Sequence, residues 1–320
     1  MNVFLRPQIQ SYNPGLSQYT GSDYSNLTDA AQVISNPAAF FAGYKAYVMQ
    51  LATLAQQHNV QLLSIGNEML SATKPIPEYI DHWKDIIASI RTVYTGKLTY
   101  SALTDVLYPS QDEVSQITFW DRLDYVGVDI YPRFPTTGNE IPSVAQLDAQ
   151  WTTQGWKTYL ENIANKYNKP IIFTESGVAS YVGATNRTPP NTDAKIGDAS
   201  AQSDNKTQAN WYQSFFNTWS GNNKPSWLVG SFFWNNDPQV SGSYATTGYS
   251  IYEKPAGIIV TSELGGVNYL SANQTDFTGS INNDIIALYG NVSTPEYSVP
   301  PLPEQSVPAI PEQCVPPVPE

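Results

Sequence analysis

Pro170-Ile171-Ile172-Phe173-Thr174-Glu175 and Leu62-Leu63-Ser64-Ile65-Gly66-Asn67-Glu68 decide how this chain is read. Each is a short apolar run that closes on a carboxylate. Runs of this length and composition read as strands buried on both faces, the pattern of a parallel sheet. A carboxylate at the end of such a strand has little to do inside a core, where leaving it unpaired is costly. At the C-terminal rim of a parallel barrel it points into a cleft instead.

Outward from these two runs, apolar segments alternate with segments of helical period. Val3-Phe4-Leu5 reads as a strand ending in Arg6 and Pro7, and a Tyr/Ser/Asn/Gly-rich loop follows to about Ser35. Asn36-Pro37 has the form of an N-cap with proline at the first helical position. Phe40, Tyr44, Tyr47, Val48, Leu51 and Leu54 then mark a helix running to His58. Trp83, Ile86, Ile87, Ile90 and Val93 mark a second, stopped by Gly96. Leu98–Ala102 and Leu123–Ile130 are strands, the latter leading into Tyr131 and Pro132. Trp156, Leu160, Ile163 and Tyr167 form a helical stripe, as do Trp211, Phe215 and Trp219. A polar loop separates Tyr181 from about Asn205, and Leu228–Trp234 is the last clear strand.

Strands alternating with amphipathic helices predict an α/β fold with a parallel sheet. About six βα units can be counted. A complete TIM-like (β/α)8 barrel needs two more, and the Gly/Ser/Thr/Tyr-rich segment after Asp237 does not supply them. Three regions are expected. Residues 1–260 form the barrel-like domain, and 261–294 a small irregular or β-rich appendage. Residues 295–320 form a Pro-rich low-complexity tail, in which Val299–Ser306 recurs as Val307–Cys314. Such a repeat cannot build a packed core and is expected to be extended.

Composition narrows the function. The formal net charge is -12 with no basic cluster, which argues against nucleic acid and against anionic membrane surfaces. No apolar run has the length of a membrane span, and no signal peptide is visible after Met1. The single cysteine, Cys314, excludes an internal disulfide and a thiolate zinc site, and the 2 histidines have no ligand spacing. Gly279-Ser280-Ile281-Asn282-Asn283-Asp284-Ile285-Ile286 and Gly290-Asn291 have the outline of a degraded calcium-binding β-roll repeat. Most of its glycines are missing and an ordinary Asn/Asp turn is the preferred reading, so no metal is expected, and two carboxylates with water need no cofactor. Aromatics make up 12% of the chain. Most belong in the core, and a few suit a cleft for sugars, whose C–H faces stack on rings. Two carboxylates from strands far apart in sequence are the pair that glycoside hydrolysis uses.

Four motifs in order carry a resemblance. They are Ser64-Ile65-Gly66-Asn67-Glu68, Phe119-Trp120-Asp121-Arg122-Leu123-Asp124-Tyr125-Val126-Gly127-Val128-Asp129-Ile130-Tyr131-Pro132, Lys169-Pro170-Ile171-Ile172-Phe173-Thr174-Glu175-Ser176-Gly177 and Phe233-Trp234. Together, over Val3 to Asp237, they resemble the clan of (β/α)8-barrel glycoside hydrolases with catalytic glutamates on the fourth and seventh strands. Within it they are most similar to glycoside hydrolase family 113, the β-mannanase-like barrels. Aligned by strand, Val3–Leu5 corresponds to the third strand of that barrel. The chain is therefore expected to be N-terminally incomplete, with two exposed sheet edges.

The resemblance implies a retaining glycoside hydrolase of β-linked polysaccharide working by double displacement. Glu175 is the implied nucleophile and Glu68 the implied general acid, then base. Asn67 is expected on the sugar hydroxyl beside the reacting carbon, or simply in a turn. Tyr131 is expected to donate to Glu175, or to pack under a rim loop. Asp129 is expected to orient a neighbour, contact substrate or cap a helix. Trp234 is expected to stack under the reacting sugar, or to pack in the core. Arg6 is expected to bind substrate, pair with a catalytic carboxylate or form a structural salt bridge. β-Mannan is the first expected substrate from the family resemblance, ahead of β-glucan or xylan, although Asn67 stands where the family pattern has threonine, as in the cellulase-like families of the same clan. A secreted monomer is expected, with a polysaccharide or oligosaccharide as its only partner. The rival expectation is a non-catalytic carbohydrate-binding or structural remnant of such a barrel.

Overall fold

The computed structural model describes residues 3–7, 34, 36–107, 109, 112–135, 141–186 and 195–265. All belong to the first of the two units into which the chain divides, Met1–Asn268. The expected loop before Ser35 lies almost wholly outside the described residues. So do the appendage at 261–294 beyond its first five residues, the Asn/Asp turn at 279–284 and the tail at 295–320.

Six strands form one sheet in the order β1-β2-β3-β4-β5-β6, and every pairing is parallel. They are β1 (Phe4–Leu5), β2 (Leu62–Asn67), β3 (Lys97–Thr104), β4 (Val126–Ile130), β5 (Ile171–Ser176) and β6 (Leu228–Ser231). Sequential parallel neighbours joined by helices are the βα repeat of a TIM barrel. The sheet is a curled part of one. Phe4 of β1 and Phe232, just past β6, meet ring to ring with centroids 4.7 Å apart. Among the described residues the two edge strands are not themselves paired.

The helices are α1 (Pro37–Gln57), α2 (Pro77–Arg91), α3 (Glu113–Gln116), α4 (Val144–Thr153), α5 (Trp156–Tyr167), α6 (Asn205–Trp219), α7 (Gly242–Thr247) and α8 (Pro255–Glu263). Asn36 caps α1, accepting from the Ala39 N–H at 3.1 Å, with Pro37 at the first position. The buried face of α1 is Phe41, Tyr44, Val48, Ala52 and Ala55. Tyr47 and Leu54, which share the helical spacing read from sequence, are exposed. Ala52 and Ala55 are fully buried on this face beside the aromatic Phe41 and Tyr44. Helix α2 stops at Arg91, short of Gly96, because the Thr92 and Val93 N–H groups turn back onto the Ser89 and Ile90 carbonyls.

Two strand limits also move. Strand β4 begins at Val126 rather than Leu123, since Trp120–Arg122 forms a 3-10 turn that Leu123 closes. Strand β6 ends at Ser231, although Phe232 and Trp234 still donate to the Phe173 and Ser176 carbonyls at 2.8 and 2.9 Å. Helix α4 was not read from the sequence, although Ser143 and Gln146 at its start form a capping box. Helix α8 runs across residue 260.

The core lies between the sheet and its helices and is strongly aromatic. Six of the eight tryptophans are buried in it, so most of the aromatic content builds the fold rather than the cleft. Trp83 stacks on Phe119 at 5.2 Å, while Trp219 meets Phe173 and Trp151 edge-on, both at 5.4 Å. Full burial of each such ring contributes about 1.5–3 kcal/mol. This packing fixes the strands whose C-terminal ends carry the site.

Candidate active site

All seven residues singled out from sequence stand at or just beyond the C-terminal ends of their strands. Arg6 follows β1, Asn67 closes β2 with Glu68 next, Asp129 lies in β4 with Tyr131 just past it, and Glu175 lies in β5. Trp234 follows β6 by three residues and is half-buried. This is the rim where barrel enzymes place their chemistry.

Two bulges aim the glutamates. Pairing of β2 with β3 shifts between Ser64 and Asn67, so β2 carries one extra residue there. Pairing of β5 with β4 runs Val128 to Phe173 and then Asp129 to Glu175, which leaves Thr174 as the extra residue. A bulge bends the strand and re-aims the side chains that follow. One oxygen each from Glu68, Asp129 and Glu175 then lies within 4.8 Å of the others.

Arg6 holds the cluster together. Its Nη1 donates to Asn67 Oδ1 at 2.9 Å and to Glu175 Oε1, and stands 3.7 Å from Asp129 Oδ2. Its guanidinium carbon lies 5.5 Å from the centroid of the Trp234 ring. Burial works against its charge, but the carboxylates of Glu175 and Asp129 outweigh that and raise its pKa. Glu175 accepts a second bond, on Oε2, from the Tyr131 hydroxyl. Burial and then the Glu175 charge push the Tyr131 hydroxyl well above its usual range, so it stays a neutral donor. The Tyr131 ring in turn meets Tyr249 edge-on at 5.7 Å.

Asp129 is fully buried. Its Oδ1 accepts from Thr174 Oγ1 at 2.6 Å, and its Oδ2 has no hydrogen-bond partner. Burial, then the charges of Glu175 and Glu68, hold its pKa well above the carboxylate range, against the opposing pull of Arg6 and Thr174. Three acidic groups this close resemble a metal site in outline, but Arg6 already stands among them as the compensating cation. A divalent ion there would meet the guanidinium's charge at short range.

Glu68 adopts a left-handed backbone, φ +44. For a residue with a side chain this costs about 1–2 kcal/mol and persists only where its surroundings enforce it. The Glu68 N–H donates to the Ser101 carbonyl at 2.9 Å, and the next N–H, of Met69, donates to the Tyr100 hydroxyl at 2.7 Å.

Sequence reasoning did not single out Thr174, Tyr249, Tyr100 or Glu113 as parts of this site. Gly66 inside a strand was the available signal for the β2 bulge. Thr174 carries no such signal.

A parallel βα sheet curled into part of a TIM barrel, with its acidic residues gathered at the C-terminal rim, defines the class of fold. The chain belongs to glycoside hydrolase family 113, whose model matches residues 2–254. Solved structures of that family share the fold. A β-1,4-mannanase solved as a complex is 20% identical with a TM-score of 0.54, over 83% of this chain and 74% of that one. A second β-1,4-mannanase is 23% identical with a TM-score of 0.52, over 71% of this chain and 63% of its own. The β-mannanase AaManA from Alicyclobacillus acidocaldarius, in complex with ManMIm, is 21% identical with a TM-score of 0.52 and the same 71% and 63% shares. The chain thus spans 63% of the length of two of these mannanases. Curated protein sequences give no match. Among the described residues no helix is long and apolar enough to cross a membrane.

Proposed function

We propose that this chain is a retaining glycoside hydrolase of β-linked polysaccharide, with β-mannan ahead of β-glucan or xylan. The observation that carries the reading is the approach of Glu68 and Glu175 oxygens to within 4.8 Å. Retaining enzymes hold their two carboxyl groups about 5–5.5 Å apart, while inverting enzymes need about 6.5–9.5 Å to admit a water. In this reading a Glu175 oxygen attacks the anomeric carbon, and the bond to the leaving oxygen breaks as that oxygen takes the proton of Glu68. A glycosyl ester on Glu175 results. Water then attacks the anomeric carbon, Glu68 takes its proton, and the Glu175 carboxylate is released.

The other residues have supporting roles. Arg6 and Tyr131 fix the two oxygens of Glu175, leaving one lone-pair direction on each for attack. Asn67, held by Arg6, offers its amide N–H groups to a sugar hydroxyl. Trp234 supplies an apolar face beside the anomeric centre. Asp129, buried behind Arg6, holds that guanidinium in place rather than meeting substrate. Mannan is preferred because the mannanases above share the fold and family. A polysaccharide substrate implies action outside the cell.

The test is hydrolysis of β-mannan, β-glucan and xylan by the 320-residue chain beside Glu68→Gln and Glu175→Gln. Cleavage lost in both variants, with a product whose anomeric configuration is retained, is the expected result. Binding without cleavage by a folded chain would support the carbohydrate-binding reading instead.

A further inference from the structure

A buried network under the β2 rim has no place in the chemistry so far. Glu113, at the start of α3, is fully buried. Its Oε1 accepts from the Tyr100 hydroxyl at 2.6 Å and from Thr73 Oγ1 at 2.7 Å, and its Oε2 accepts from the Leu103 N–H at 3.0 Å. Thr73 Oγ1 also lies 3.3 Å from the Met69 carbonyl. The Tyr100 hydroxyl, besides donating to Glu113, accepts the Met69 N–H. The network therefore grips the residue next to Glu68 by its N–H, while the Ala72 and Thr73 N–H groups hold its carbonyl at 2.7 and 3.1 Å.

The ring of Tyr100 adds a second hold. It covers Gly66 so closely that a Cβ there would fall 2.5 Å from Tyr100 Cε2. One side chain thus fixes the bulge just before Glu68 and the turn just after it. Between these two holds sits the left-handed backbone of Glu68.

We propose that Tyr100, oriented by Glu113, is the positioning residue that sets the place of the Glu68 carboxyl in the cluster. The inference deepens the functional reading above and rests on it for its kinetic part. Glu113 has no salt-bridge partner among the described residues. Its three donors orient it instead, and a carboxyl group bonded to three groups holds each of them in direction. Tyr100 then acts on Glu68 through the backbone, without touching substrate.

The test uses the full chain labelled at the glutamate carboxyl carbon, with the Glu68 signal assigned by its absence in Glu68→Gln. The groups that bear on its titration include Asp129 and Glu175 in the cluster and, through them, Arg6. Those facing Glu113 are Tyr100 and Asp112. Tyr100→Phe is expected to move the Glu68 midpoint by about half a pH unit or more, since its distance to the neighbouring charges changes. Glu113→Gln should move it in the same direction, and supplies the readout if Tyr100→Phe does not fold. Tyr159→Phe is the control. It removes the bond from Tyr159 to Asp112 in the same loop, at 2.7 Å, without touching Met69, and should leave the midpoint alone.

Kinetics give an independent readout. Loss of a well-placed acid costs roughly 10²–10⁴-fold on a substrate that needs protonation. A misplaced acid should cost part of that, about 10–100-fold in kcat/KM on polysaccharide. On a dinitrophenyl glycoside, whose leaving group needs no proton, kcat/KM should stay within about threefold. An unmoved Glu68 midpoint in both Tyr100→Phe and Glu113→Gln overturns the proposal, as does an equal shift in Tyr159→Phe. If the wild-type chain cleaves nothing, the functional reading fails while the titration still decides the positioning role.

Discussion

Glu68 and Glu175 reach one cluster from two strands that each carry an extra residue ahead of the carboxylate. In a regular strand, side chains alternate faces with a period of two, and one added residue reverses every face after it. Asn67, which resumes the pairing in β2, and Glu175, which resumes it in β5, come to share one donor, Arg6 Nη1. A barrel rim can therefore gather charges that its own pleat would scatter.

The shared donor makes a double-mutant prediction. Arg6 and Glu175 side chains are only 12% and 11% exposed, so removing the cation leaves a mostly buried carboxylate uncompensated. Arg6→Met should destabilise the chain by about 3–5 kcal/mol in urea unfolding. Removing the charge on both sides should cost less than that. Arg6→Met with Glu175→Gln is expected to unfold later than Arg6→Met alone, a coupling of roughly 1–3 kcal/mol. A double variant no more stable than Arg6→Met would mean the pair is not what holds Arg6.

Glu113 predicts a pH dependence of stability. Burial pushes its carboxyl up to about 7 from the ordinary 4.5, in spite of the bonds from Tyr100, Thr73 and Leu103. Between those two values the folded chain keeps a proton that the unfolded chain has released. The contribution is thus fully present below about pH 4.5, and is lost as pH rises toward about 7. Its full extent is roughly 3 kcal/mol. Glu113→Gln should lower stability at acid pH, because one amide N–H then faces the Leu103 N–H, but should flatten this segment of the curve. The check is urea unfolding of both chains at several pH values across the window.

Much of the fold and of the rim is legible in the sequence. The two Glu-terminated runs, the Asn36-Pro37 cap and the alternation of periods gave the parallel sheet and the rim position of Arg6, Asn67, Asp129 and Trp234. These features are local, and local physics writes them into the chain. The exposed Tyr47 and Leu54 show where that ends. A helix has more than one apolar stripe, and the choice between them belongs to the sheet it packs on. The bulge at Thr174 depends on register with β4, and the Tyr100–Glu113 network joins β3 to the turn after β2. Neither is a property of any short window of sequence.

Gly177 predicts a defect that reaches Trp234. A Cβ there would fall 2.3 Å from the Trp234 carbonyl oxygen, closer than side-chain carbons approach. The Trp234 N–H is also bonded to the Ser176 carbonyl at 2.9 Å, so the segment cannot simply swing away. Gly177→Ala should cost about 1–3 kcal/mol. It should also raise KM for polysaccharide more than it lowers kcat, since the displaced ring is the proposed binding surface for the sugar. Thermal unfolding and steady-state kinetics measure the two effects separately.

Lys254 predicts a gain in stability on the alkaline side. Its side chain is buried, and its ammonium donates to Ser180 Oγ at 2.7 Å and to the Gly248 carbonyl at 3.3 Å. Among the described residues no carboxylate pairs with it. Burial accordingly lowers its pKa from 10.5 to about 8. A depressed lysine opposes folding while it is charged. The unfolded chain binds the proton more tightly between about pH 8 and 10.5, so stability rises with pH across that window and the gain is lost again as pH falls through about 8. The rise is roughly 3 kcal/mol at full extent. Lys254→Met keeps the stem and removes the charge. It should unfold later than the wild type at pH 7, and should show no gain between pH 8 and 10.5 from this site. Unfolding midpoints that shift equally with pH in both chains would show that Lys254 keeps an ordinary pKa.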